Sequence, residues 1–382
     1  MLSSTQTIPK RGIYLYPCEQ YCAEHETVVH RTICEEIAGL LGGHFCGDFR
    51  GAFGGDSGAS PVTNVAGYYV PSDTLTRATC QNLHIATEQD FFGGVVPARW
   101  MATKALSHPL WNERAVAPAD WNPDFMDLAG HVVLRGYTVF SLDDALAAGL
   151  HLLEQGPIRL KSCQGKAGKG QRVVDTPMAL YVELAAMSES EVHADGLVVE
   201  EHLVDVKTFS VGQINIGGQI ASYVGTQGLV ADNNGDMVYG GTRLLMTRGD
   251  YDALLATRLC PGLATVISQA RCYEQAALAV FNGLLLSRRN YDVAVGVNAR
   301  GEPVSGVLEQ SWRIGGASSA EIFGLAELAR NPDIATVQAA SMELYGADTV
   351  PPEGARMIYR GCDAVVGDII KCVKVVCDER AD

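Results

Sequence analysis

The feature that most constrains the fold is a strand–helix–strand passage that runs directly into a basic, glycine-rich loop. Residues 137–140 and 158–161 have the β-branched and apolar composition of buried strands. Between them, residues 142–155 have the apolar spacing of an amphipathic helix, and Ser141 with Asp144 resembles a capping box at its start. The passage predicts an α/β unit, and the β-type sequence after the loop predicts that the loop closes a hairpin.

The loop carries the residue types that a polyphosphate requires. Its lysines and glycines, starting from the preceding strand, are Lys161, Gly165, Lys166, Gly168, Lys169 and Gly170. Glycine lets backbone N–H groups approach phosphate closely, and lysine offsets its charge. The loop does not fit the P-loop pattern, because neither Gly-Lys pair is followed by Ser or Thr. Taken alone, it fits a solvated hairpin tip equally well.

Two carboxylates near strand ends suggest a metal site. Asp292 lies near the start of a β-type run at 291–297, and Glu309 ends another at 304–308. A turn containing Gly301 joins the runs, so a hairpin would bring both carboxylates to one face. Carboxylate pairs are typical Mg²⁺ ligands, although a single acidic residue more often lies on the surface or in a salt bridge.

Charge and cysteine content exclude several classes of function. The formal net charge is −15, from 44 acidic and 29 basic residues, which disfavours binding to nucleic acid and to anionic lipid. The 11 cysteines are scattered without a CxxC pair, as expected for reduced thiols. With no signal-like or membrane-spanning apolar run, the sequence predicts a cytoplasmic protein that does not interact with membranes.

The length of 382 residues predicts two or three packed units. We expect a small N-terminal α/β domain at 1–95, a domain with the glycine loop at 96–200, and a domain with the carboxylates at 201–382. A helix over 97–110 would carry Lys104, and 250–286 reads as a long helical region. The segment 320–382 is expected to form helices and a closing apolar piece.

The order of these elements resembles the ATP-grasp superfamily. That order is Lys104, Lys161 with its glycine loop, the run VVEEHL at 198–203, Asp292, and the run EQSWRIGG at 309–316. The resemblance covers about 97–320, and within that span the sequence is similar to an uncharacterised bacterial ATP-grasp-like family. It implies an α/β (α+β) ATP-grasp fold that holds ATP with Mg²⁺ between two α/β subdomains, after a small N-terminal domain.

The resemblance also implies roles in nucleotide binding. Lys104 and Lys161 would contact the α- and β-phosphates, with the 165–170 loop as a lid over the triphosphate. The run VVEEHL would be the hinge strand: Glu200 accepts from the adenine amino group, and the main chain of Glu201 and Leu203 pairs with the base edge.

For the metal and the chemistry, the resemblance implies a second set of residues. Asp292, Glu309 and Ser311 would bind the metal, and Arg313 would stabilise the transferring phosphoryl group. Arg289 is a second catalytic candidate because it neighbours Asp292 in sequence.

Two positions depart from the superfamily pattern, and one cysteine adds a further candidate. Ser311 stands where the superfamily has a metal-binding Asn, and Lys207 stands where it has a ribose-binding Glu. Asp205 is then the candidate for the ribose. Cys163, beside Lys161, is either an activated nucleophile or a small buried side chain, and the second interpretation is favoured.

The function implied by the resemblance is a Mg-ATP-dependent carboxylate–amine or carboxylate–thiol ligase that acts through an acyl-phosphate. Its partners would be ATP and a small-molecule or peptide-like acid and amine, and a homodimer is expected. Two alternatives stay open: a nucleotide-binding module without ligase activity, and a small-molecule kinase.

Overall fold

The computed structural model describes residues 11–18, 22–49, 67–165 and 170–377, and places their strands in four sheets. The N-terminal part is a parallel three-stranded sheet of order β2-β1-β3 with helix α1 packed on it. Ile33 and Ile37 of that helix share a core with Ile13 and Leu15. The elements are β1 (Gly12–Tyr16), α1 (Glu24–Leu40), β2 (His44–Asp48), β3 (Gly67–Pro71), β4 (Leu75–Thr76), α2 (Arg77–Asn82) and β5 (Gly94–Val96).

The middle part contains the strand–helix–strand passage and the hairpin that the sequence predicts. The Ser141 side chain accepts from the Asp144 N–H and starts helix α4, as the capping pattern indicates. Strands β7 and β8 pair antiparallel around the glycine loop, within a sheet of order β6-β9-β7-β8. The elements are α3 (Asp124–Ala129), β6 (Gly136–Val139), α4 (Leu142–Leu153), β7 (Ile158–Ser162), β8 (Gln171–Val174), α5 (Pro177–Ala185), α6 (Glu189–Asp195) and β9 (Leu197–Glu201).

The C-terminal part is an antiparallel sheet of eight strands, ordered β15-β14-β10-β11-β12-β16-β18-β17. Helix α8 covers one face beside β14 and β15, and helix α9 packs on β12 and β16. The elements are β10 (Val204–Ile216), β11 (Gln219–Ala231), β12 (Met237–Arg248), α7 (Tyr251–Leu255), α8 (Leu263–Val280), β13 (Leu285–Leu286), β14 (Arg288–Val297), β15 (Pro303–Gln310), α9 (Ser318–Arg330), β16 (Thr336–Tyr345), β17 (Arg356–Asp363) and β18 (Gly367–Val376).

Three expectations from the sequence need correction. In place of the helices and closing apolar piece expected for 320–382, the described residues 320–377 form the rest of one helix and then three antiparallel strands, in which Val337 and Ala339 alternate inward with the period of a strand. The helical region at 250–286 is two helices followed by a short strand. The helix at 97–110 is instead a pair of short 3-10 turns, because Thr103 between them has extended backbone and caps the second.

Only two residues separate the four-stranded sheet β6-β9-β7-β8, called the small sheet below, from the eight-stranded sheet, called the large sheet, along the chain. Strand β9 ends at Glu201, and strand β10 begins at Val204. A parallel bridge between Val133 and Val307 is a second contact between the middle and C-terminal parts. In the described residues, no helix is both long enough and apolar enough to cross a membrane.

Candidate functional site

Two ion pairs bring the predicted lysines and glutamates together between the sheets. Lys104 Nζ lies 2.8 Å from Glu309 Oε2 and also donates to the Gly165 carbonyl at the base of the glycine loop. Lys161 on β7 contacts the carboxylate of Glu200 on β9, and both side chains are buried. The two predicted phosphate-binding lysines are therefore each held by a carboxylate, and one of them joins the loop to Glu309.

The Glu200 carboxylate is held from two sides. His108 Nε2 lies 3.1 Å from Glu200 Oε2, and Lys161 contacts the other oxygen. Burial raises the pKa of Glu200, but the Lys161 charge and the His108 hydrogen bond lower it more, to about 2. Glu200 therefore stays ionised at neutral pH. No motif in the sequence points to His108, which lies before the first strand of the small sheet.

The two carboxylates predicted to bind metal face each other across paired strands. Asp292 on β14 lies opposite Glu309 on β15, so their side chains project from the same face of the sheet. Asp292 Oδ1 accepts from Gln227 at 2.9 Å and from Asn290 at 3.2 Å. Burial and the neighbouring Glu309 raise the pKa of Asp292 to about 6. The pair of like charges therefore favours a cation at this face.

The donor set at this face fits Mg²⁺, which prefers oxygen ligands and often uses only one or two carboxylates. Ser311 follows β15, and its N–H donates to the Asn290 carbonyl at 2.7 Å, which extends the strand register to this pair. By strand alternation, Ser311 then shares the face of Asp292 and Glu309. In the described ranges, no cluster of three or more His, Cys, Asp or Glu is placed to hold a metal ion.

A buried arginine that the sequence analysis did not assign fixes the loop after β15. Arg288 pairs with Glu321 of α9 at 2.6 and 2.8 Å, and the side chains are 1% and 0% exposed. The same guanidinium donates to the Ser311 carbonyl at 2.6 Å and to the Arg313 carbonyl. Arg288 therefore positions the backbone of the EQSWRIGG run. The Arg313 side chain remains partly exposed, with its Nε 3.9 Å from Asp73.

The expectation that Arg289 acts beside Asp292 needs correction. Successive residues of a strand alternate between faces, and Arg289 and Asp292 are three positions apart on β14, so Arg289 lies on the face opposite to Asp292. There it pairs with Glu274 at 3.1 Å and with Glu88 at 3.4 Å, and contacts Gln213. These contacts place Arg289 in a structural ion-pair network away from the carboxylates.

The residues predicted to form the hinge include Glu201, which contacts Arg135 at the start of the small sheet. The Glu201 N–H donates to the Arg135 carbonyl at 2.9 Å, and its carboxylate lies 3.5 Å from Arg135 Nη2. Leu203 is buried. Asp205 lies in a β-bulge with φ of +51°, a left-handed conformation that Asp tolerates better than most residues, and its side chain is exposed. Lys207 is also exposed.

The base of the predicted lid is a hairpin. The Ser162 N–H donates to the Gly170 carbonyl at 3.2 Å, and the Gly165 N–H donates to the Ser162 carbonyl at 3.1 Å. Gly170 has φ of +73°, which suits a glycine. The tip residues Lys166, Gly168 and Lys169 lie outside the described residues.

Cys163 fits the second of the two interpretations that its sequence context left open. Its side chain is 4% exposed and belongs to a hydrophobic core. Burial raises the pKa of this thiol to about 12. Cys163 therefore contributes a small packed side chain and is not an activated thiolate.

Solved structures with the same fold are ligases and carboxylases of low sequence identity. Phosphoribosylamine–glycine ligase from Thermotoga maritima has a TM-score of 0.53 at 12% identity, over 97% of this chain and 93% of that one. The biotin carboxylase domain of Hydrogenobacter thermophilus 2-oxoglutarate carboxylase, solved with MgADP, ADP and bicarbonate, has a TM-score of 0.51 at 13% identity, over 95% and 86%. Campylobacter jejuni biotin carboxylase, in a β-γ-ATP complex, has a TM-score of 0.50 at 14% identity, over 97% and 88%.

These similarities show that the chain has the ATP-grasp fold that its motifs predicted. No curated protein matches its sequence. A sequence family covers residues 13–373, nearly the whole chain. The protein therefore belongs to the family described as "Protein of unknown function (DUF3182)".

Proposed function

We propose that the protein is a Mg-ATP-dependent ligase that joins a carboxylate to an amine, or to a thiol, on a small-molecule or peptide-like substrate. The observation that carries this proposal is the position of Lys104. Its ammonium contacts both Glu309 of the carboxylate pair and Gly165 at the base of the glycine loop. A lysine that joins the lid to the metal carboxylates is suited to bind phosphate between them.

The residues proposed to hold Mg²⁺ are Asp292, Glu309 and Ser311. When bound there, the ion would neutralise charge on the transferring phosphoryl group. The chain itself supplies Lys104 and Lys161 for the phosphates, with the glycine loop, Gly165 to Gly170, closing over them. Arg313 lies on the loop after β15, whose backbone Arg288 holds, and we propose that its side chain stabilises the charge that develops during transfer.

The proposed base and ribose contacts lie along the hinge. The ionised Glu200 carboxylate accepts from the adenine amino group, while the main chain of Glu201 and Leu203 meets the base edge. Lys207 cannot accept a hydrogen bond from a ribose hydroxyl. The bulge at Asp205 supports this neighbouring carboxylate as the replacement, because a bulge redirects the side chain of the extra residue.

In the proposed reaction, a substrate carboxylate oxygen attacks the γ-phosphorus of ATP, and the bond to the ADP oxygen breaks. The amine then attacks the carbonyl carbon of the acyl-phosphate, phosphate leaves with the bonding electron pair, and the nitrogen loses a proton. Closure of the glycine loop would exclude water, which otherwise hydrolyses the acyl-phosphate.

A nucleotide-binding module without ligase activity is the second candidate. It is favoured by Ser311, which offers a hydroxyl in place of an amide oxygen, and by the exposed cation Lys207 near the proposed ribose site. A small-molecule kinase is a third candidate, because the phosphate and metal contacts would be shared and only the acceptor would differ.

Calorimetric titration with ATP, ADP and a non-hydrolysable ATP analogue, each with and without Mg²⁺, tests nucleotide binding. We expect Glu309→Ala to abolish the Mg²⁺ dependence and Lys161→Ala to weaken binding of the nucleotide itself. Glu302→Ala, on the exposed turn between the same two strands, is the matched control and should bind as the wild type does. Absence of Mg²⁺-dependent nucleotide binding in the wild type would contradict the enzyme proposal.

A second experiment separates ligase, kinase and binding module. Release of ADP is screened against pooled amino acids and small acids, and the products are identified by mass spectrometry. A ligase releases ADP and inorganic phosphate together with a condensed product, whereas a kinase releases ADP and a phosphorylated product. If ATP binds but Ser311→Asn is needed for metal affinity and ADP release, the natural chain is a binding module.

A further inference from the structure

We infer that a pocket at the hinge, on the face opposite to Lys161 and Glu200, binds a small oxyanion of the phosphate type. Consecutive residues of β9 point to opposite faces, so Glu200 points to Lys161 while Glu201 points into this pocket. The pocket is therefore separate from the proposed nucleotide site, and the inference does not depend on the proposed ligase function.

The pocket lies between the two sheets. Arg135 before β6, Gln155 after α4 and Glu201 at the end of β9 form one side. The turn between β14 and β15, with Asn298, Ala299 and Arg300, forms the other side. Its volume is about 200 Å³. This exceeds the roughly 30 Å³ that one water occupies and is below the roughly 300 Å³ where drug-sized ligand pockets begin, which suits a small ion.

The side chains that line the pocket carry a net positive charge. Arg135 and Arg300 both donate to the same neutral acceptor, the side-chain amide oxygen of Gln155. Glu201 is the single carboxylate among the lining residues, and it already accepts from the Arg135 N–H at 3.1 Å. The nearby Glu302 carboxylate accepts from Asn298 at 2.9 Å. Two guanidinium groups thus share one amide oxygen and one carboxylate.

One donor of a lining residue lacks any acceptor in the described part of the chain. Arg135 Nε is shielded from solvent and makes no hydrogen bond there. A buried donor without an acceptor costs free energy, and a guanidinium presents a planar set of donors that matches the oxygens of phosphate and carboxylate. A small oxyanion that replaces the Gln155 oxygen would satisfy both arginines at once.

Binding of an oxyanion here would link the two sheets. Arg135 directly precedes β6 of the small sheet, and Arg300 lies in the turn between β14 and β15 of the large sheet, so a shared ligand favours the arrangement in which both can reach it. Exchange of amide hydrogens in 298–302 and at the hinge should slow when the pocket is occupied.

The test uses inorganic phosphate as the probe, titrated by calorimetry into the full chain, with citrate and chloride titrated in parallel. We expect phosphate to bind, Arg300→Ala to weaken it at least tenfold, and Arg300→Lys to weaken it less. Arg114→Ala, which removes another exposed arginine, is the matched control and should leave the affinity unchanged. Stronger binding of citrate than phosphate would still support an oxyanion site and would assign it to carboxylates.

The Lys161→Ala variant distinguishes this pocket from the proposed nucleotide site. Phosphate binding that persists in Lys161→Ala and is lost in Arg300→Ala supports the hinge pocket, whether or not the chain binds ATP. Binding that is lost in Lys161→Ala and unchanged in Arg300→Ala overturns it, as does the absence of binding by any oxyanion. Hydrogen exchange gives a second readout, since phosphate should protect 298–302 in the wild type but not in Arg300→Ala.

Discussion

Replacing Arg288 by methionine should destabilise the protein more than most single substitutions. The change removes the partner of Glu321, whose side chain is fully buried, and the donor to the Ser311 and Arg313 carbonyls. Breaking a buried ion pair by removing one partner costs about 3–5 kcal/mol, because the remaining charge stays buried without compensation. We therefore expect Arg288→Met to lower the free energy of unfolding by about 3–5 kcal/mol.

The double variant Arg288→Met/Glu321→Leu tests the physical reason. It removes the unpaired charge, and the Tyr223 hydroxyl, which donates to Glu321 at 2.7 Å, still has Asn290 at 3.0 Å. We expect the double variant to regain about 2 kcal/mol or more over the single variant. The assay is urea unfolding followed by circular dichroism and tryptophan fluorescence.

The control for this series is Arg271→Met. Arg271 pairs with Asp252 on the surface, where ion pairs contribute little, so the urea midpoint should stay unchanged. If Arg288→Met costs less than about 1 kcal/mol, or if the double variant is no more stable than the single one, the assignment of a buried positioning pair is wrong.

Three further predictions concern other parts of the chain. Burial lowers the pKa of His30 from 6.5 to about 4. As the pH drops from 6.5 toward 4, the unfolded chain therefore takes up the proton before the folded chain does, and the free energy of unfolding falls. In urea unfolding, His30→Gln should reduce the loss of stability between about pH 7 and about pH 4.5 by about 1–3 kcal/mol. Cys163 should resist iodoacetamide in the folded protein under conditions that label the exposed Cys260, as peptide mass spectrometry would measure; equal labelling of both would contradict the burial. Gly94→Ala should destabilise the protein by about 1–3 kcal/mol, because a Cβ there would lie 2.6 Å from the Trp312 Cβ. Thermal or urea unfolding measures this, and an unchanged midpoint would show that the site can relax.

The sequence predicted those parts of the fold that local patterns determine. The Ser141 cap, the helix after it and the hairpin around the glycine loop depend on neighbouring residues, and all three are confirmed. The resemblance singles out Lys161, Glu200, Lys104 and Glu309, and the structure pairs the first two and the last two, while their roles stay predictions.

Other features depend on sequence-distant contacts and were missed. Arg288 and Arg289 are adjacent in sequence, and alternation along β14 puts Arg288 on the face of Asp292 and Arg289 on the other. Which of the two faces meets the core depends on the strand register, because a shift of one residue exchanges the faces. The role of Arg288 on β14 further depends on Glu321, which reaches it from helix α9. The sequence after 330 predicts helices and a closing apolar piece instead of strands, because alternation is weak there: burial alternates along the first part of β16 but not along β18.

The pairing of β5 with β13 has a consequence for how the chain folds. Gly93 and Ser287 exchange hydrogen bonds of 2.9 Å in each direction, although 194 positions separate them. Strand β5 lies between β4 and β13 in its sheet, so it can pair only with β4 until most of the chain has left the ribosome, and the loop-closure entropy of the β13 contact opposes its early formation. Until then, Val96 has no complete core to enter, because its cluster includes Phe281, Leu284 and Leu286, and the edge of β5 that later pairs with β13 stays open. A nascent or truncated chain is therefore exposed to aggregation at this edge.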